Sequence, residues 1–261
     1  MDRQDKERLC GEVYSSLWSH YKGALFDQYT WHIWNELNTY APFLNPKIKD
    51  GVCLDAGCGS GRAMAAMLAV GATRVEGLDI SPVNVTVAAD NLSAFGDRVG
   101  VRQGSVITMP YDDETFDVVH CYGVLHHTKD PYKGFQECCR VLKPGGTLLV
   151  ANYCRGGLVN RVLDLGRFFT TRRIPPLSVM KRISRAIFGE DDRHYWYALL
   201  DGLYAPFRET YTEQEMRTWF EENHLDDVQR YYCKGFYYDW PPLFSGKDRG
   251  LIVLVGQKAA A

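Results

Sequence analysis

No stretch of this chain approaches the eighteen or so consecutive apolar residues that a membrane-crossing helix requires. Its start, MDRQDKERLCGEVY, is too charged and too short of an apolar block for a secretory signal, so a cytoplasmic protein without stable membrane insertion is expected. Cysteine is present but unpatterned. The eight cysteines are scattered, none forms a C-x-x-C pair, and Cys53, Cys121 and Cys138 fall in segments expected to be core. A disulfide framework and a zinc site are therefore not expected, which leaves reduced thiols and no metal. Adjacent Cys138 and Cys139 point to different faces of a predicted helix, which favours burial over a redox pair. Excess charge is lacking too: the formal charge of -2 gives no overall pull toward nucleic acid or a membrane surface. No internal repeat or low-complexity tract occurs, and 46% hydrophobic with 24% charged residues is the composition of an ordinary folded domain.

What is there is alternation. Short Val- and Leu-rich runs at 51–57, 74–80, 98–104, 116–123 and 146–153 read as fully buried parallel strands. Between them lie helical segments at 62–70, 81–95 and 130–142, each closed by Gly or Pro, with Ser81-Pro82 as a helix start. The pattern predicts an α/β fold, a Rossmann-like, seven-stranded, mostly parallel sheet with helices on both faces. Thr212-Glu213-Gln214-Glu215 is a capping box opening a helix to about 224, followed by an antiparallel pair at 228–238 and 250–258 that closes the sheet. Four segments are expected: residues 1–46 as an aromatic helical cover, 47–154 as a ligand-binding core, 155–210 as an inserted helical cap, and 211–261 completing the core. In the cap, eight cations between 155 and 189 face Asp164 alone, a local charge of +7.

The most informative stretch is Asp55-Ala-Gly57-Cys58-Gly59-Ser-Gly61-Arg62, between a strand and a helix. Glycines let the backbone turn sharply and approach a ligand, and the helix amino end offers unpaired amides with positive potential. A dinucleotide loop has the same geometry but needs a third small residue where Arg62 or Met64 stands, and both counts fail. Asp79, 22 residues after Gly57, ends the second strand, where a carboxylate can accept both ribose hydroxyls, and Ile80 is placed to pack on an adenine face.

The D-x-G-x-G-x-G loop, the later block TFDVVHCYGVLHHTKDP and the block RVLKPGG together resemble the class I S-adenosylmethionine-dependent methyltransferases. The likeness is to the methyltransferase type 11 group, with its ubiquinone and menaquinone biosynthesis enzymes. It spans roughly residues 50–153 and implies S-adenosyl-L-methionine as cofactor and S-adenosyl-L-homocysteine as product. Carried over position by position, Gly57, Cys58, Gly59 and Gly61 hold the methionine half, Asp55 organises the loop and the ammonium, and the backbone carbonyls of Cys121 and Tyr122 face that ammonium. Ser105 replaces an aspartate that commonly binds the adenine amine, while the Val106 amide keeps its place at the ring.

Methyl transfer from a sulfonium is an in-line displacement for which positioning supplies much of the rate, and a protein base matters when the acceptor must lose a proton. His126 and His127 are the candidates, at the carboxyl edge of the fourth strand; the alternative is a structural or binding role for both. Tyr14, Trp18, Tyr21 and Tyr29 are either aromatic faces for the sulfonium and substrate or plain helix core. Arg172, Arg173 and Arg182 of the cap, with Lys181 and Arg185, suit an acidic phosphate- or carboxylate-bearing acceptor, a solvated helix face, or contact with a membrane surface. The expected function is methylation of a small-molecule acceptor in a biosynthetic pathway, at oxygen or nitrogen, by a monomer or homodimer with no nucleic-acid partner. The alternative is a cofactor-binding regulatory or scaffold subunit without turnover.

Overall fold

A computed structural model describes residues 3–18, 22–39, 43–155, 165, 205–231 and 251–260. Seven strands form one sheet: β1 (Val52–Ala56), β2 (Arg74–Asp79), β3 (Val99–Gln103), β4 (Phe116–Tyr122), β5 (Leu142–Tyr153), β6 (Leu225–Tyr231) and β7 (Leu251–Lys258). Their order is β3-β2-β1-β4-β5-β7-β6. The first five run parallel, while β7 lies antiparallel to both β5 and β6. The chain steps outward from β1 through β2 to β3, then returns to the other side of β1 for β4, so strand order reverses between β1 and β4. In an open sheet of this kind that reversal opens a crevice beyond the strands' carboxyl ends.

Helices cover both faces. Along α6 (Pro131–Val141), the buried residues Gly134, Phe135, Cys138, Cys139 and Val141 recur at helical spacing. They meet Val119, Cys121 and Leu148 of the sheet and Met216 and Phe220 of α7 (Glu213–Glu222) in one core. On the opposite face, Met64, Ala65, Met67 and Leu68 of α4 (Arg62–Val70) join Cys53, Val118 and Leu149, with Phe26 and Leu37 of α2 (Ala24–Thr39) packed outside them. Helix α1 (Arg3–Trp18) runs against α5 (Pro82–Asn91), and the short α3 (Asn45–Ile48) precedes β1.

Several boundaries differ from the sequence expectation for identifiable reasons. The helix begun at Ser81 does not run to 95. It ends at Asn91 and continues as a 3-10 turn over Ser93–Arg98, because the Ser93 hydroxyl donates to the Asp90 carbonyl and competes with the helical ladder. Strand β5 starts at Leu142 rather than 146, directly after α6. The Thr212 capping box forms, with Thr212 Oγ1 accepting from Glu215 N–H and Glu215 reaching back to Thr212 N–H. Its helix stops at Glu222, since His224 adopts a left-handed φ of 58°, and β6 begins at Leu225 instead of 228. The cap expected at 155–210 lies outside the described residues apart from Arg155, Leu165 and residues 205–210, as do residues 232–250. The seven described cysteines are all buried, and none is in a disulfide.

Candidate functional site

Between β1 and α4 the backbone turns through Gly57 (φ 90°), Gly59 (φ 54°) and Gly61 (φ 85°), all left-handed. Gly57 has a second reason to be glycine: a Cβ there would stand 2.3 Å from Val124 Cγ2 in the loop after β4. The turn is tied down from β2. The N–H groups of Gly57 and Cys58 donate to the Leu78 carbonyl at 2.7 and 3.0 Å, and that of Gly59 donates to Asp79 Oδ2 at 2.9 Å. At the start of α4, Gly61 supplies no side-chain cap, which leaves the first-turn amides without that partner at the crevice.

Two buried carboxylates flank the turn in different states. Asp79 already accepts three N–H donors, from Gly59, Ser81 and the Asn84 amide. A carboxylate has about four acceptor positions, so these three donors leave about one open. Burial pushes its carboxyl above the ordinary 3.8, against the pull of those donors. Asp55 is 3% exposed, and among the described residues its carboxylate has one hydrogen bond, from His120 Nδ1 at 2.9 Å. Beside Asp79, Ile80 and Val83 are 37% and 45% exposed, an apolar surface where β2 gives way to α5.

Helix α1 lies across this edge. Ser15 Oγ donates to the Gly11 carbonyl, so in its 2.5 Å contact with Ser81 Oγ the proton comes from Ser81. Gly11 sits against Ile80, and Cys10 Sγ donates to the His127 carbonyl at 3.5 Å. The same helix thus touches the end of β2 and the loop after β4.

That loop carries both histidines as a single 3-10 turn. His126 is 1% exposed, its Nδ1 is 3.0 Å from Asn152 Oδ1, and burial, followed by the neighbouring His127, holds its imidazolium well below the ordinary 6.5. His127 Nδ1 donates to the Phe207 carbonyl at 2.8 Å. A carbonyl only accepts, so Nδ1 carries the proton and, in the neutral ring, Nε2 is the basic position. The Tyr14 ring lies 5.1 Å from His127, and the Arg208 guanidinium lies over Tyr153 at 4.8 Å. The last residues of the segment expected as the cap are clipped here on both sides of Arg208, by the Phe207 carbonyl and by Glu209 N–H donating to the His126 carbonyl.

The structure therefore brings Asp55, Gly57, Cys58, Gly59, Gly61, Asp79, Ile80, Tyr122, His126 and His127 to one edge. Cys58 and Cys121 are buried, with thiols held well above the usual range; burial is the main cause at Cys58, and the contact with Cys138 at Cys121. Ser105 Oγ accepts weakly from Ile107 N–H within its own turn, and Val106 is buried. Tyr21, Arg172, Arg173 and Arg182 lie outside the described residues. Sequence reasoning missed His120, Asn84, Asn152, Ser15 and Phe207. Of these only Asn84, three residues past the Ser81 cap, had a local signal.

Residues 54–150 match the model of the methyltransferase domain family. Over those residues the chain is similar to methyltransferase domains. Among its relatives, a 27-O-demethylrifamycin SV methyltransferase of Amycolatopsis mediterranei is 34% identical over 102 residues, covering 38% of each chain. A ubiquinone biosynthesis O-methyltransferase of Xanthomonas campestris is 32% identical over 47% of this chain and 51% of its own. The chain thus spans between about a third and a half of the length of these curated relatives. In fold it is similar to the 1,6-didemethyltoxoflavin-N1-methyltransferase of Burkholderia thailandensis, solved with its substrate and S-adenosylhomocysteine. That likeness has a TM-score of 0.60 at 16% identity and covers 99% of this chain and 91% of the other. Among the described residues no cluster suited to a metal ion occurs, and no helix is long and apolar enough to cross a membrane.

Proposed function

We propose that the chain is an enzyme that transfers the methyl group of S-adenosylmethionine to a hydroxyl of a small molecule. The observation that carries this reading is the pairing, at one sheet edge, of an under-bonded buried carboxylate with a fixed imidazole. Asp55, buried with a single donor among the described residues, suits an ammonium. His127 is oriented by the Phe207 carbonyl so that Nε2 can take a proton.

The residues fit the cofactor group by group. Asp55 takes the ammonium, Asp79 one ribose hydroxyl, and the exposed Ile80 side chain one face of adenine. The cofactor supplies an activated methyl on a sulfonium, so the transfer itself is an in-line displacement. The protein's own work is to hold the acceptor oxygen in line and receive its proton on His127. Tyr14 walls the imidazole from α1, which excludes water from that side. His126, buried and held neutral against Asn152, braces the turn rather than exchanging protons. Arg208 over Tyr153 adds a cation beside the acceptor, which favours an acceptor with acidic character.

The test is incubation of the full chain with methyl-labelled S-adenosylmethionine and a small-metabolite extract. Label recovered in a small molecule supports transfer. Tight S-adenosylhomocysteine binding without any labelled product favours the scaffold alternative, and absence of that binding sinks the reading altogether.

A further inference from the structure

Asp55 and His120 stand opposite one another in the parallel register of β1 and β4. By alternation their side chains share a sheet face with Cys53, Val118 and Tyr122, which join the core beneath α2 and α4. At 2.9 Å from Asp55 Oδ1, His120 Nδ1 must carry the proton, because a carboxylate only accepts. The side chains are 8% and 4% exposed. Tyr122, two residues on along β4, lies nearly parallel to the imidazole, 5.8 Å between centroids and 11° between planes, and limits its rotation.

Nothing else among the described residues bonds to this carboxylate, whereas Asp79, at the end of the neighbouring strand, has three N–H donors. Asp55 Oδ2 is not among the fully enclosed polar atoms that lack a partner, so this second oxygen is still accessible to a donor from outside the protein. An Asp with no side-chain partner at this place would be free to swing toward the glycine loop. The imidazole prevents that by fixing Oδ1, which determines where Oδ2 points. We propose that His120 is a positioning residue for cofactor binding, pinning Asp55 so that its second oxygen receives the ammonium of the cofactor's amino-acid half. This rests on the reading of the domain as one that binds S-adenosylmethionine. His120 touches Asp55 and not the reacting atoms, so its influence is on affinity for one half of the ligand.

That division sets the experiment. The full chain and its His120→Leu, His120→Asn and His120→Gln variants are titrated calorimetrically with S-adenosylhomocysteine and with methylthioadenosine, which keeps the adenosine and sulfur but lacks the amino-acid half. Hydrogen bonds to charged groups set the scale: His120→Leu should weaken S-adenosylhomocysteine about tenfold or more while methylthioadenosine changes less than about twofold. Asn, whose amide nitrogen can stand where Nδ1 stood, should return S-adenosylhomocysteine to within about threefold of the parent, and Gln, whose amide reaches past that point, should not. Parallel weakening of both ligands would show a merely structural role and overturn the proposal, as would unchanged S-adenosylhomocysteine affinity in His120→Leu. If His120→Leu does not fold, equal affinities in the Asn and Gln variants overturn it. A parent chain that binds neither ligand overturns the cofactor reading itself, whereas a parent that binds both normally leaves only His120 at stake.

Discussion

The imidazole of His127 donates its Nδ1 proton to the carbonyl of Phe207, 2.8 Å away and eighty residues further along the chain. Because the carbonyl belongs to the last residues of the segment expected as the basic cap, the orientation of the proposed base depends on where that segment rejoins the core. Replacement by Asn keeps a donor for Phe207 and removes the basic nitrogen. His127→Asn should therefore bind S-adenosylhomocysteine within about twofold of the parent while methyl transfer falls by about a hundredfold to ten-thousandfold, the usual contribution of a positioned acid-base group. Calorimetry and initial rates on the acceptor found by the labelled assay check the two halves; an unchanged rate removes His127 from the chemistry.

His126 should report through stability instead. Burial holds its imidazolium well below the ordinary 6.5 in the folded state, so the folded protein keeps this ring neutral while the unfolded chain protonates it near 6.5. The sign follows: the contribution is fully present above about 6.5 and is lost as pH falls below that value, by up to about 1.4 kcal/mol per pH unit until the folded-state value is reached. Urea midpoints for the parent should fall on acidification from neutrality more steeply than those for His126→Gln. Identical slopes would mean that His126 is not the buried neutral ring described.

The parts of this site that were legible in the sequence are local ones. Asp55, the three glycines, the Ser81 cap and the Thr212 capping box each act over two to five residues, and each appears where its spacing put it. The pairings His120–Asp55 and His127–Phe207 join residues 65 and 80 positions apart, and only strand order and the return of the chain bring them together. Even at short range, competition misled: Ser93 reads as a tolerable helix residue until its hydroxyl takes the Asp90 carbonyl. His224 gives no glycine-like signal for its left-handed turn, since a non-glycine residue there depends on the packing around it. Asp79 was legible as a ligand carboxylate, but its three internal donors are backbone and amide groups that no motif records.

Asp79 makes cofactor affinity sensitive to acid. A ribose hydroxyl donates to the ionised carboxylate, and burial places this carboxyl above the ordinary 3.8 in the free protein. As pH falls toward that raised value the free protein takes up a proton that the complex must release, so S-adenosylhomocysteine affinity should begin to drop at a higher pH than an unperturbed aspartate would dictate. Asp79→Asn should bind about tenfold to a hundredfold more weakly at neutral pH, because its amide meets Gly59 N–H donor to donor, and should lose this acid dependence. Titrations across the acidic range check it; a parent whose affinity is flat down to about pH 4 refutes the ribose contact.

Gly57 tests the loop geometry independently of any ligand contact. Its φ of 90° is in the left-handed region, where a side chain costs about 1–2 kcal/mol, and an added Cβ would overlap Val124 Cγ2 at 2.3 Å. The two penalties separate by mutation. Gly57→Ala should lower stability by about 2 kcal/mol or more and displace either the loop or Val124. Adding Val124→Ala removes the two closest contacts, leaving the Val124 Cβ at 3.1 Å and the dihedral cost, so the double variant should be more stable than the sum of the single changes, with a coupling of about 0.5–3 kcal/mol. Additive losses in a denaturant-melt cycle would show that Val124 does not press on this turn. S-adenosylhomocysteine affinity should follow the same cycle, because the amides of Gly57, Cys58 and Gly59 are held by Leu78 and Asp79 only in the present shape of the turn.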